Sequence, residues 1–573
     1  VAVGNAAANN TQGDNAVAVG SQAGTTTQGI NATAVGQSAG NSSQGDSAVA
    51  IGSSAGQTSQ GTLSVAIGRN AGNNTQGTSS VAVGINAGQT SQDDGCVAVG
   101  NFAGKDNQGL VSVAVGSQAG QITQGISSVA VGDRAGNATQ GGSSVAVGRL
   151  AGTTTQGTSS VAIGNLAGNA TQGVNSVSVG IRAGQTTQGA NAVAMGSEAG
   201  MTSQGVASVS LGRAAGSTSQ GTESVAIGMF SGNSNQSDYS VSVGRYSGFN
   251  SQGAGTVAIG DRAGNDTQGD SAVAIGSLAG YDTQGTLSVA IGPSAGRTSQ
   301  GVNSVAVGNT AGQTTQSESA VAVGLSAGQT SQGISTVAVG AVAGQTSQGD
   351  TAVAVGVWAG NDTQGTQSVA IGVFAGRTSQ GSLSVAVGPQ AGLTTQGGSS
   401  VAVGINAGQT TQGASSVAVG NSAGATSQGT YSVGVGYQAG LTSQGSTAVA
   451  VGAGAAATTQ GNYAIAVGSS AGQTTQGANS VAVGYLAGQS NQAANGIIIN
   501  SSGAPVNNTV AGHINIESTT SWLRATGGNW TASGTISTNG DLNVRPVGLG
   551  SEGGQINLLN GVNYAAAWNI DIV

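Results

Sequence analysis

Apolar and small residues alternate along this chain in a unit of sixteen residues that repeats from Val1 to Gly496 without an insertion or deletion. The unit has the form VAVGxxAGxTxQGxxS and occurs in 31 consecutive copies. Positions 1 and 3 are almost always Val, Ile, Leu or Met, whereas positions 2 and 16 are nearly always Ala or Ser. This alternation predicts a β-strand at the start of each unit, with one apolar face and one face of very small residues.

A short repeat of fixed length is typical of a solenoid, in which each unit is one coil completed by its neighbours. Glycine at position 4, and in most copies at positions 8 and 13, indicates corners. The TxQ segment predicts a second short strand. We therefore expect an all-β, parallel β-solenoid with one coil per repeat and an interior of Val, Ile and Ala side chains.

Position 12 is glutamine in every copy, including Gln12, Gln28, Gln348 and Gln492. In-register stacking would place these side chains about 4.8 Å apart and allow an amide ladder along the solenoid. An unpaired buried amide would cost roughly 1–3 kcal/mol. The column is therefore predicted to be inward, hydrogen-bonded and structural.

Position 2 is alanine in 27 copies and otherwise serine or glycine. Restriction to small side chains marks a close approach of backbones. The simplest partner is a second copy of the chain, because parallel solenoids present matching rows along their whole length. This reasoning predicts a subunit interface at Ala322, Ala338 and Ala354.

All twelve aromatic residues of the repeats lie at positions 5, 6, 9 and 15, which vary freely, so these positions are predicted to face outward. Such rings would bind sugars by stacking and hydrogen bonding. The alternative, which we favour here, is drift at unconstrained positions, since isolated apolar surface residues are common.

The net charge is −8, and the Lys and Arg residues of the repeats are scattered without forming a basic stripe, which argues against nucleic-acid binding. Cys96 is the only cysteine, so neither an intrachain disulfide nor a thiolate metal site is expected. No apolar run approaches the ~20 residues that span a bilayer. We expect no cofactor, no metal and no membrane insertion.

Catalysis is not expected either. His513 is the only histidine, and a lone histidine on a short strand is usually structural or exposed. Asp541 with Asp571, or Glu517 with Glu552, would have to form any glycosidase pair, but no motif supports the required carboxyl spacing.

The NSVAVG core, as at Asn303–Gly308, with its following AG turn closely resembles the head repeats of trimeric autotransporter adhesins (YadA-like heads). That resemblance implies a left-handed β-roll assembled as a homotrimer. The sixteen-residue form with AGQTTQG, closed by IIINSSG at Ile497–Gly503, resembles the repeat blocks of phage and other viral fibre proteins.

The period disappears from Ala504 onward, and short alternating segments follow, such as GTISTNGDLNV at Gly534–Val544 and GGQINL at Gly553–Leu558. They resemble the β-rich shaft and connector modules of tailed-phage fibres. We therefore divide the chain into a repeat shaft at 1–496, a solenoid cap or transition at 497–505 and a β-rich fibre module at 506–573.

These features together predict the structural rod of a homotrimeric viral fibre, specifically a tailed-phage tail fibre, that mediates reach and host attachment. Its expected partners are copies of itself, other virion proteins and a host glycan or protein receptor, and its expected location is extracellular, in the virion. One alternative is the head or stalk of a bacterial trimeric surface adhesin. A lower-ranked alternative is an ice-binding solenoid, whose Thr array would be interrupted where position 10 is Asn, Asp or Ala.

Overall fold

The computed structural model describes residues 1–526 and 529–532, and within them the chain is a parallel β-solenoid without a helix. We number the coils from Val1, so that coil n begins at residue 16n − 15. Strands of the first sheet occupy positions 1–3. They are Ala2–Val3 in coil 1, then Val17–Val19 and every sixteenth residue onward to Val481–Val483.

Strands of the second sheet occupy positions 11 and 12. They begin with Thr11–Gln12, recur every sixteen residues to Thr475–Gln476 and end with Ala487–Gln492. Coil 15 interrupts this sheet, because Gln236 forms only isolated bridges to Gln220 and Gln252. The prediction of two short strands per sixteen-residue coil is confirmed.

Coils stack strictly in register. Ala338 pairs with Ala322 below it and with Ala354 above it, and Gln348 pairs in the same way with Gln332 and Gln364. Every position of the repeat therefore forms a straight row along the solenoid. A residue type that is invariant at one position becomes a continuous row of identical side chains.

The core of each coil consists of the small residues, which corrects the predicted interior. Alanines at positions 2 and 7, such as Ala338 and Ala343, are fully buried and form the continuous apolar core. Val and Ile at positions 1 and 3 point outward and remain half-buried or exposed. The coil is too thin for branched side chains because the two sheets must approach closely enough for one glutamine to span the gap.

Two glycine positions permit close packing, one between successive coils and one inside each coil. Gly340, at position 4, has a φ of 130°, and a Cβ there would lie 2.5 Å from the carbonyl oxygen of Gly356 in the next coil. Gly344, at position 8, has a φ of 52°, and a Cβ there would lie 3.0 Å from Oε1 of Gln348. The first glycine sets the coil-to-coil contact, and the second leaves room for the buried amide.

The solenoid continues past the last sequence repeat. Ile497–Ser501 extends the first sheet and Val506–Asn508 extends the second, which adds one further coil. Ile514–Ser518 then pairs in parallel with Ile497–Ser501, and Trp522–Thr526 and Asn529–Ala532 follow it as antiparallel strands. The predicted segments 534–544 and 553–558 lie outside the described residues.

Candidate binding surfaces

The glutamine at position 12 crosses the interior of its own coil. Gln348 is 3% exposed, and its Nε2 donates to the carbonyl oxygens of Val337 at 2.9 Å and Ala352 at 3.1 Å. The same pattern holds for Gln28 with Val17 and Ala32, and for Gln492 with Val481 and Gly496. Each amide therefore ties the second sheet to the first within one coil.

Bonds between successive glutamines also occur, so part of the predicted ladder is present. Gln332 Nε2 donates to Oε1 of Gln348 at 3.2 Å, and Gln348 Nε2 donates to Oε1 of Gln364 at 3.1 Å. In the first coil Gln12, which is only half-buried, donates to Oε1 of Gln28 at 3.2 Å. The amide nitrogens are inward and hydrogen-bonded, with backbone carbonyls as the more regular partners. The ladder is not continuous, because Oε1 of Gln332, Gln492 and other members of the column has no hydrogen-bond partner among the described residues.

The alanines predicted at a subunit interface lie elsewhere. Ala322, Ala338 and Ala354 are fully buried inside a single chain, where they belong to the alanine core. The prediction that they contact another copy is therefore wrong. Small side chains did mark a close approach of backbones, but the approach is between the two sheets of one coil.

The outward rows at positions 1 and 3 form a long apolar surface that our sequence reasoning had placed in the interior. At position 3, Ile51 is 39% exposed, Ile163 is 40% exposed and Leu211 is 43% exposed. Valines at both positions are half-buried, as at Val337 and Val339. These rows run the length of the solenoid, and no other part of the described chain covers them.

A second surface feature is a cluster of aromatic rings on coils 15 and 16. The ring centroids of Phe230 and Tyr246 are 5.1 Å apart in a stacked arrangement. Phe249 meets both rings edge-on, at 6.2 Å from Phe230 and 5.4 Å from Tyr246. Offset or edge-on ring pairs of this kind are stabilising.

Charged side chains accompany these rings. The guanidinium of Arg213 lies 4.7 Å from the centroid of Phe230. Arg245 forms a two-point ion pair with Asp261, at 2.8 Å and 3.1 Å, and this hydrogen bonding raises the pKa of the guanidinium. The ion pair is exposed and adds little stability, but it holds Arg245 beside Tyr246, 5.8 Å from the ring centroid.

The rings cluster because position 9 of one coil lies beside position 6 of the coil before, nineteen residues earlier. Asn265 Nδ2, for example, donates to the carbonyl oxygen of Tyr246 at 3.0 Å. Phe249 and Phe230 have the same spacing. This nineteen-residue spacing identifies the cluster only once the path of the coil is known, so the sequence alone did not predict it.

The candidate chemical groups remain dispersed. Cys96 is fully buried, and burial raises the pKa of its thiol. His513 is 8% exposed beside the final strands, and Glu517 accepts a hydrogen bond from Asn515 at 2.7 Å. Asp541, Glu552 and Asp571 lie outside the described residues.

Residues 1–526 and 529–532 contain no cluster of three His, Cys, Asp or Glu side chains that would hold a metal ion. In the same part of the chain, no helix is long and apolar enough to cross a membrane. No protein-family model, curated protein or solved structure matches this chain. The class of protein is defined by the fold itself, which is a parallel β-solenoid of sixteen-residue coils.

Proposed function

We propose that this chain is the structural rod of a homotrimeric viral fibre, of the tailed-phage kind, that extends to a host cell surface and attaches there. The observation that carries the proposal is the outward surface at positions 1 and 3, which is apolar along the repeats except at Thr33. Large contiguous apolar patches mark interaction surfaces. We therefore expect another molecule to cover these rows.

The size of this surface supports assembly. At about 4.8 Å per coil the 31 coils extend for roughly 150 Å, and positions 1 and 3 are about 7 Å apart along the strand. The two rows therefore cover on the order of 1,000 Å². This area exceeds the patches of about 300–600 Å² found on monomers and is close to the ~800 Å² that each partner buries in a stable complex.

The in-register stacking favours a parallel arrangement of identical chains. Copies related by a rotation axis along the rod place the same coil at the same height, so Val337 of one chain meets the equivalent row of its neighbour in every coil. Closed rings of such contacts leave no free apolar row. The number three comes from the resemblance to trimeric adhesin heads.

The assembly is tested by mass measurement on the full chain. We expect a species of three times the 54.0 kDa chain mass in sedimentation equilibrium. Replacing Val323, Val339 and Val355 together with lysine should shift that species towards monomer, since three charges per chain would enter the interface. The matched control is Leu325→Lys, at an exposed position 5 outside the two rows.

A wild-type chain that stays monomeric at micromolar concentration would refute the proposal. So would a triple lysine variant that sediments like the wild type. The triple variant should keep the β-sheet circular dichroism of the wild type, because these side chains point away from the alanine core.

A viral fibre and a bacterial adhesin would have the same rod, so the two candidates are distinguished by where the chain is located. Antibody raised against the full chain should decorate slender appendages on virus particles in cultures of the source. Labelling of the bacterial surface in cells free of virus would favour the adhesin instead.

One observation favours the ice-binding alternative as a second candidate. Position 11 is Ser or Thr in 28 of 31 coils, and these side chains point outward from the second sheet, as Thr27 and Thr363 do. Position 10 interrupts the neighbouring row at Asp106, Ile122 and Ala138. Thermal hysteresis of the purified chain would establish this candidate, and normal ice growth would eliminate it.

A further inference from the structure

The band of surface formed by positions 6 and 9 has a localised depression on coils 16 to 18. Tyr246, Phe249, Arg262, Asn265 and Tyr281 line this depression, which has a volume of about 310 Å³. That volume is at the lower end of the range of about 300–1,000 Å³ for ligand clefts. The assembly surface is different in kind, because it repeats in every coil whereas the depression occupies three.

We propose that this depression binds a pyranose unit of a host surface polysaccharide. The inference rests on the proposed attachment function, to which it adds the site and the class of ligand. Drift at unconstrained positions would leave the rings isolated on the surface. The structure brings rings from neighbouring coils together.

The apolar side of the site matches the C–H face of a sugar ring. An aromatic face carries negative partial charge, and a pyranose presents several polarised C–H groups on one face. Tyr246 is stacked on Phe230 on one side and meets Phe249 at 5.4 Å, so its orientation is held by packing. A ring fixed in this way loses little conformational entropy when a sugar stacks on it.

The polar side of the site supplies hydrogen bonds to sugar hydroxyls. The amide of Asn265 is 7% exposed and is oriented by its bond to the carbonyl oxygen of Tyr246 at 3.0 Å. Arg262 is exposed, and no ion pair with another described residue engages its guanidinium. Two tyrosine hydroxyls complete a set of donors and acceptors around an apolar surface, which is the usual composition of a ligand cleft.

The second ring pair on the same band provides a contrast. Arg377 lies 5.0 Å from the ring centroid of Trp358 and 5.3 Å from that of Phe374. Its guanidinium therefore already occupies space beside both rings. In the depression on coils 16 to 18 the guanidinium groups lie further from the rings, with Arg245 5.8 Å from the centroid of Tyr246 and Arg297 6.0 Å from that of Tyr281. Arg262 lines the depression directly.

The test is binding of the full-length wild-type chain to an array of immobilised bacterial surface polysaccharides. The variant carries Tyr246→Ser, Phe249→Gln and Tyr281→Gln, which are residues that the chain itself has at positions 6 and 9 of other coils, such as Ser38 and Gln57. The matched control is Tyr431→Ser, which removes a 68% exposed tyrosine at position 15 far along the solenoid. Circular dichroism checks that all chains fold alike.

We expect the wild type to bind at least one polysaccharide, the triple variant to lose at least tenfold in affinity and the control to bind as the wild type. Equal binding by the triple variant would overturn the proposal. Adsorption of the wild type to host cells without binding to any polysaccharide would also overturn it, with a protein receptor as the remaining partner. That outcome would not contradict the proposed fibre function. A wild-type chain that binds a polysaccharide but does not form a trimeric rod would contradict the fibre function and not the sugar site.

Discussion

Replacing Gln348 with leucine tests whether the buried amide column holds the coil together. Leucine has a similar size, so the change removes hydrogen bonds without opening a large cavity. Gln348 donates to Val337 O, Ala352 O and Gln364 Oε1, and its own Oε1 accepts from Gln332. All of these bonds disappear in the variant.

The cost depends on which partners keep another bond. Ala352 O still accepts from the backbone N–H of Val337 at 2.9 Å, and the amide of Gln332 still donates to Val321 O at 2.8 Å. Oε1 of Gln364 loses its donor while its side chain is 2% exposed. One newly orphaned buried acceptor costs about 1–3 kcal/mol, and this is the expected loss of local stability.

Hydrogen exchange of the full chain measures this loss coil by coil, because solenoid stability is set by each coil and its neighbours. We expect backbone amides in residues 321–368 to exchange about 5–150-fold faster than in the wild type, and distant coils to be unchanged. The control is Ser347→Ala, at the adjacent outward position. Exchange within twofold of the wild type in residues 321–368 would refute the structural role of the column.

Four further outcomes are expected. Gly344→Ala should destabilise its coil by about 1 kcal/mol in thermal unfolding, because alanine is strained at a positive φ, although Ala456 shows that the coil accommodates its Cβ at this position; an unchanged melting temperature would contradict this. Ala338→Leu should cost at least as much through overpacking of the coil core, whereas a folded variant that only dissociates would restore the interface prediction. The Cys96 thiol should react with a thiol reagent at pH 8 far more slowly in the folded than in the unfolded chain, since burial raises its pKa and blocks access; equal rates would contradict its buried position. Electron microscopy should show a rod of roughly 150 Å for the repeat region, and one shorter than about 100 Å would contradict the in-register stacking.

The sequence alone determined the architecture of this chain. A sixteen-residue period without insertions leaves in-register coils as the arrangement that makes every copy equivalent. The glycines at position 4 and the glutamine at position 12 recur without exception, which predicted tight corners and a buried amide column. These inferences succeeded because they depend on repetition along the chain, which is visible in one dimension.

The tertiary structure alone decided which face of the strand is inside. The alternation of Val337, Ala338 and Val339 allows either face of the strand to be buried. Hydrophobicity favours burial of the valine face. The structure has the alanine inside, because the separation of the two sheets is set by the reach of Gln348 to Val337 O. That separation depends on two segments eleven residues apart, so neither strand pattern reveals it.

The aromatic cluster likewise depended on three-dimensional proximity. Phe230, Tyr246 and Phe249 occupy positions that vary freely from coil to coil, so the sequence showed them as scattered substitutions. The path of the coil places position 9 beside position 6 of the preceding coil, as the bond from Asn265 to Tyr246 shows. Contacts between coils are fixed by how the chain turns at its corners, and for that reason only the folded structure brings these rings into one surface.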